Sequence, residues 1–93
     1  MQMERDIRFL RGLASRTSGD IAGSLERIIR LLDLIQTTAD SPSEQAERAE
    51  RAASELRLLI GLDDDDHNEV SLIAERVNAA RKDLVVLSNA IGY

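Results

Sequence analysis

The chain has 93 residues, which suits one small domain with a modest hydrophobic core. It contains no cysteine, so disulfide bonds, thiolate metal sites and cysteine nucleophiles are excluded. Its formal charge of −5, from 17 acidic and 12 basic residues, argues against direct binding to nucleic acid or to an anionic membrane.

The first predicted helix is the longest and contains the one ambiguous point of the pattern. Apolar residues recur at steps of three and four over about residues 3–38, which is typical of an amphipathic helix. The stripe misses a step at residues 17–20, which are poor helix formers and include Gly19. We favour one continuous helix, kinked at this point, because no proline is present and one glycine costs only about 1 kcal/mol. The alternative is a break at Ser18–Gly19 that starts a new helix.

A second helix is predicted over about residues 42–60 by clear start and stop signals. Ser41 is a typical N-cap residue, Pro42 suits the first helical position, and Glu44 is placed for a capping box. Gly61 follows as a residue that commonly ends helices.

A third helix is predicted over about residues 66–91, with Asp66 as its N-cap. Its apolar residues repeat in three heptads, as in a coiled coil. They are Val70, Ile73, Val77, Ala80, Leu84, Leu87 and Ile91. Together the patterns predict an all-α, antiparallel bundle of three helices in a single domain, residues 1–93.

The lengths of these helices do not match, and this suggests a partner. The second helix runs back along only the latter half of the first, so residues 1–18 would project as an arm. We therefore expect a homo-oligomer, most simply a homodimer, or another protein that covers the arm. The arm's apolar and basic side chains form the predicted partner-binding set: Met3, Ile7, Phe9, Leu10, Leu13, Arg5, Arg8 and Arg11.

A run of carboxylates precedes the third helix and forms a predicted acidic patch of Asp63, Asp64, Asp65, Asp66 and Glu69. Its spacing does not fit a calcium loop of the EF-hand type, because Asn68 and Ala74 stand where glycine and glutamate are needed. His67 lacks a second histidine or a cysteine with which to hold zinc. We expect a solvated acidic loop, with no metal and no cofactor.

The sequence favours a non-catalytic interaction module, such as an oligomerising adaptor, chaperone or inhibitor, that binds through the apolar faces of the first and third helices. It offers one histidine and no glycine-rich phosphate loop, so we expect no enzymatic activity. No segment has the roughly 20 apolar residues of a membrane span, and charged residues interrupt the N-terminal region too often for a signal peptide. We therefore expect a cytoplasmic protein.

Two alternatives remain open. In the first, an acidic regulator or phage-type inhibitor uses the acidic patch to mimic phosphate and block a nucleic-acid-binding protein. In the second, the long, short and medium helices resemble the layout of the helical chorismate mutases, intertwined dimers that hold a dicarboxylate with arginines. Arg11, Arg27 and Arg51 can be placed against that pattern, but Ser88 and Asn89 stand where the family has a glutamine.

Overall fold

The structure, a computed structural model, describes residues 3–38 and 41–91, and these form four α-helices without any strand. The helices are α1 (Glu4–Arg16), α2 (Gly19–Thr37), α3 (Pro42–Leu58) and α4 (Asp64–Ile91). The all-α prediction is confirmed, but the predicted count of three helices is wrong. The first predicted helix is in fact two.

The break between α1 and α2 is a tight, two-residue connection. Thr17 and Ser18 both have extended backbone angles, and Gly19 follows with φ of +66°. Glycine adopts a positive φ without the steric cost that a side chain imposes. The backbone N–H and the hydroxyl of Thr17 both donate to the carbonyl of Ala14, at 3.4 Å, and close the last turn of α1. The alternative of a break at Ser18–Gly19 is therefore confirmed.

The chain folds as an up-down-up-down bundle in which each helix touches its two neighbours around a ring. α1 and α2 pack side by side in antiparallel orientation. The backbone N–H of Met3, just before α1, therefore lies near the end of α2 and donates to Gln36 Oε1 at 3.0 Å. The molecule is 43 Å long and about 20 Å wide. α4 has 28 residues and, at about 1.5 Å per residue, spans the whole length of the molecule.

The start of α3 agrees with its sequence signals. The backbone N–H of Glu44 donates to Ser41 Oγ at 3.3 Å, and Pro42 occupies the first turn. The side-chain amide of Gln45 then donates to the carbonyl oxygens of Ile35 and Thr38, at 3.0 and 3.2 Å. These bonds satisfy carbonyl groups that the end of α2 would otherwise leave unpaired.

All four helices contribute side chains to one core. α3 contributes four buried alanines, Ala46, Ala49, Ala52 and Ala53, which allow α4 to approach closely. α4 contributes Val70, Ile73 and Val77, as its heptad pattern predicts. α4 begins two residues earlier than predicted, so Asp66 lies in its first turn and the prediction that Asp66 is the N-cap is wrong.

Candidate protein-interaction surface

The apolar half of the predicted partner-binding set is used by the fold itself. Met3, Ile7, Leu10 and Leu13 are at most 5% exposed, and Phe9 is partly buried against the same core. The reasoning that these side chains face nothing within the chain is therefore wrong. They are covered because the break at residues 17–18 lets α1 turn back onto the bundle instead of projecting from it.

The basic half of that set remains at the surface. Arg5 and Arg8 are exposed and line an open cleft of about 760 Å³. The charged residues around this cleft balance one another: Arg5, Arg8 and Arg76 against Glu4, Asp6 and Glu69. Arg11 is exposed too, and it lines one groove with Glu26 and Asp33 and another with Arg8 and Asp33. The cleft therefore offers no excess of positive charge to an anion.

An ion pair at the cleft fixes α1 against α4. Asp6 is only 7% exposed and accepts two hydrogen bonds from the guanidinium of Arg76, at 2.7 and 3.2 Å. The bond to Asp6 raises the pKa of Arg76 further above its usual value, so this side chain stays charged. Arg16, at the other end of α1, pairs with Asp66 at 3.4 Å. Together the two pairs hold α1 antiparallel along residues 66–76 of α4.

Sequence reasoning missed the pairing of Asp6 with Arg76, although one signal was available. Asp6 lies three residues after Met3 and four before Leu10, so it shares their side of the helix. A carboxylate on the buried side of an amphipathic helix needs a partner. The identity of that partner depends on the topology, and a continuous first helix would place Arg76 far away.

The acidic patch is divided between solvent and the fold. Asp63–Asp65 are exposed, whereas Asp66 is held by Arg16 and Glu69 lies 3.8 Å from Arg76. Within residues 3–38 and 41–91, no group of three side chains is placed to hold a metal ion. The patch therefore presents fewer unpaired carboxylates than the sequence suggests.

The last turns of α4 carry apolar side chains that the rest of the bundle covers poorly. Val77 is fully buried, and Ala80 is the last apolar residue of α4 packed against the core. Leu84 is only partly buried, and Leu87 and Ile91 are each 50% exposed. The heptad stripe therefore continues for about three turns beyond the point where the core ends.

Two valines widen this surface around the helix. Val85 is 38% and Val86 68% exposed. Four consecutive apolar residues, 84–87, cover about 300° of a helix, so they cannot all face one core. This run was the sequence signal for an exposed surface, since apolar runs at the surface are disfavoured unless they serve a function. We name Leu84, Leu87 and Ile91, which lie along one side of the helix, the α4 tip.

Other exposed apolar side chains do not belong to this run on α4. Leu58 is 75% and Ile60 79% exposed, beside the loop that leads into α4 at the opposite end of the bundle. Leu34 and Leu72 are 37% and 47% exposed, on α2 and on the first half of α4. Scattered exposure of this kind is normal, whereas a continuous run on one helix is not.

Comparison with protein-family models, with curated proteins and with solved structures finds no match to this chain. The layout shared with the helical chorismate mutases is not retained, because the long first helix is broken. Arg27 and Arg51 line a groove between α2 and α3, whereas Arg11 lines a different one. No helix in the described part of the chain has both the length and the apolar character needed to cross a membrane.

Proposed function

We propose that the protein is a small, non-catalytic helical module that binds another protein through the α4 tip. The observation that supports this most directly is the half-exposure of Leu87 and Ile91, on a stripe that is core earlier in the same helix. This proposal narrows the surface expected from the sequence. The apolar face of the first predicted helix is occupied, and only the end of the third remains open.

A helix laid alongside the α4 tip is the partner element that fits this surface best. Amphipathic helices bind by placing apolar residues, at steps of three and four, against a complementary stripe. Covering the exposed halves of Leu87 and Ile91 contributes about 1 kcal/mol each. Association itself costs several kcal/mol, so apolar contact alone gives weak binding. The specificity of binding then depends on the polar residues beside the tip, among them Arg81 and Asp83.

The arrangement of the charged residues supports a non-catalytic role. His67 is exposed in the acidic first turn of α4, away from the cleft that Arg5 and Arg8 line. Arg16, Arg27 and Arg76 each form an ion pair with a carboxylate of the chain. Their charges are used in holding the helices together.

The proposal is tested by comparing one substitution in the α4 tip with a matched substitution elsewhere. The full chain is used to capture proteins from lysate of its own cells, and a captured partner is then purified and titrated by calorimetry. We expect Leu87→Asp to weaken binding by at least tenfold. Ile60→Asp, which places the same charge at a more exposed apolar site, should leave the affinity unchanged.

Circular dichroism must show that both variants remain folded. A partner that binds Leu87→Asp as tightly as the unaltered protein would contradict the assignment of the α4 tip as the binding surface. An equal loss of affinity in the Ile60→Asp variant would contradict this assignment as well. The loss would then come from adding a negative charge anywhere on the protein and not from altering the α4 tip.

A further inference from the structure

A groove of about 190 Å³ runs between α2 and α3 on the outside of the bundle. Its apolar residues are Leu31, which is partly buried, and Leu34, which is 37% exposed. Three arginines and one glutamate line the groove beside these leucines: Arg27, Arg30, Arg51 and Glu55. We name these six residues the α2–α3 groove.

One ion pair within the α2–α3 groove leaves two of its arginines unmatched. Arg27 Nε donates to Glu55 Oε1 at 3.1 Å. Arg30 and Arg51 are exposed, and neither forms an ion pair with any residue in the described part of the chain. The groove therefore carries an excess of two positive charges.

The carboxylates one turn before these two arginines line neighbouring grooves instead. Glu26, four residues before Arg30, lines a groove between α1 and α2. Glu47, four residues before Arg51, lines a groove between α3 and α4. Attraction between exposed side chains across one turn is weak, because water screens it. Arg30 and Arg51 therefore remain available to carboxylates that approach from outside.

The excess of positive charge distinguishes the α2–α3 groove from four other concave places on the surface. The cleft beside α1 and two grooves between α1 and α2 each have equal numbers of basic and acidic residues. The groove between α3 and α4 has two glutamates and one arginine. The whole chain has a formal charge of −5. An acidic ligand is therefore attracted to this groove and repelled by most of the remaining surface.

A third leucine extends the apolar part of the groove along α3. Leu58 lies two turns after Arg51, so it shares that side of α3, and it is 75% exposed. The contact of Arg27 with Glu55 fixes the level at which the antiparallel helices meet. At about 1.5 Å per residue, Leu34 lies about 10 Å from that level in one direction and Leu58 about 5 Å in the other. The two leucines are thus about 15 Å apart along the groove.

We propose that the α2–α3 groove binds an amphipathic helix of another protein, one that carries carboxylates on both sides of its apolar stripe. A distance of 15 Å corresponds to about three turns of such a helix, with apolar residues at steps of three and four. Its flanking carboxylates would meet Arg30 on the α2 wall and Arg51 on the α3 wall. This surface is separate from the α4 tip, so the inference does not rest on the proposed function.

The shape of the groove favours a helix over a small anion. Pockets for small ligands have volumes of about 300 to 1,000 Å³ and enclose most of the ligand. This groove has about 190 Å³ and is lined mainly by exposed side chains. A small anion would also leave Leu34 and Leu58 exposed, whereas an amphipathic helix covers them.

The charges favour a protein helix over a nucleic acid strand. Affinity for nucleic acid comes mainly from neutralising many phosphates, and this groove offers two unmatched arginines. The net charge of −5 repels a long polyanion, while a short acidic helix meets only the groove.

Titration of the full chain with a synthetic peptide tests the proposal. The probe is a helical peptide of about 18 residues, long enough to be helical alone, with leucine at steps of three and four and glutamate on both sides. Its counterpart has lysine in place of each glutamate. We expect the acidic peptide to bind, more weakly as ionic strength rises from about 0.01 M to about 1 M, and the lysine peptide not to bind.

Nuclear magnetic resonance of leucine methyl groups locates the binding site. Binding in the groove should shift the signals of Leu31, Leu34 and Leu58. Shifts confined to Leu84 and Leu87 would overturn the assignment to the α2–α3 groove.

Reversing one charge tests the role of the arginines. Arg51→Glu should weaken binding of the acidic peptide by at least tenfold. Arg57→Glu is the matched control, because Arg57 is an exposed arginine of the same helix that lies about 120° around it from Arg51. With both variants shown to be folded by circular dichroism, equal weakening would overturn the proposal, since the effect would then follow from net charge alone.

Removing the competing carboxylate should have the opposite effect. Glu55→Gln releases Arg27 and gives the groove a third unmatched positive charge, so we expect the acidic peptide to bind about threefold more tightly. A purely structural role of the pair would instead make binding weaker. Weaker binding by a folded Glu55→Gln variant would therefore overturn the electrostatic basis of the proposal.

Competition identifies the class of ligand. Retained peptide binding in the presence of an equal concentration of inorganic phosphate or of a single-stranded oligonucleotide supports a protein helix. Displacement of the peptide by either would overturn that choice of ligand. Dimerisation of the unaltered chain that Arg51→Glu abolishes would overturn it too, because a second copy would then occupy the groove.

Discussion

Replacing Leu10 by alanine tests whether α1 is part of the core. Leu10 lies near the middle of α1 and is fully buried. Large-to-small substitutions at such sites cost between about 2.7 and about 5 kcal/mol, depending on how far the cavity collapses. α1 is a short outer helix that can shift towards the cavity, so we expect about 3 kcal/mol. A domain of this size has a free energy of unfolding of only about 5 to 14 kcal/mol, which makes the loss easy to measure.

Urea unfolding followed by far-ultraviolet circular dichroism provides the measurement, with Leu58→Ala as the matched control. Leu58 undergoes the same chemical change but is 75% exposed, so its substitution should cost at most about 0.5 kcal/mol. A difference of about 2.5 kcal/mol between the two variants is the expected result. It reports burial at position 10 and not a general intolerance of losing a leucine.

Two outcomes would refute the reasoning. Equal, small effects at both positions would mean that α1 contributes nothing to the folded domain, as a projecting arm would. An early partial loss of helical signal in Leu10→Ala, followed by an unchanged main transition, would mean that α1 unfolds as a separate unit. Either result would return the apolar face of α1 to the set of partner-binding surfaces.

Two further substitutions test the connection and the ion pair that hold α1 in place. Gly19→Ala should lower the free energy of unfolding by about 1 to 2 kcal/mol, because φ of +66° strains any residue with a Cβ although the space there is open. An unchanged thermal midpoint would contradict this. For Asp6→Asn and Arg76→Ala, a double-mutant cycle should give a coupling of about 1 kcal/mol that shrinks in concentrated salt, since Arg76 is half-exposed. Additive effects would show that the pair is not formed in solution.

The starts and stops of the later helices could be predicted because local chemistry determines them. Ser41 caps α3 in the structure as the sequence indicated, and Pro42 occupies the first turn. The first half of the α4 heptad pattern was also correct, since Val70 and Val77 are buried. These signals depend on residues within about one helical turn of each other, so one sequence suffices to interpret them.

The break at residues 17–18 could not be settled by local chemistry. One glycine costs a helix about 1 kcal/mol, which on its own favours a continuous first helix. Burying Met3, Ile7, Leu10 and Leu13 contributes roughly 1.5 to 3 kcal/mol for each side chain, and this exceeds the few helical hydrogen bonds that a break removes. The same apolar residues that suggested a partner therefore supply the reason for the chain to fold back on itself.

The ion pair between α1 and α4 could not be predicted from the sequence, for a related reason. Asp6 and Arg76 are 70 positions apart, and only the fold-back of α1 brings them together. A wrong topology at one connection thus removed a whole set of contacts from the prediction. The error was confined to α1, because α3 and α4 pack on each other independently of where α1 lies.

The mismatch of helix lengths nevertheless remains, at a different place from the one the sequence indicated. α1 has 13 residues and α4 has 28, so about 20 Å of helix packs beside about 42 Å. The surplus lies at the end of α4, where Leu87 and Ile91 repeat the core pattern but are each 50% exposed. Among the described residues, the apolar stripe of α4 is therefore less well covered near the C-terminus of the helix than along its first half, where Val70, Ile73 and Val77 are buried.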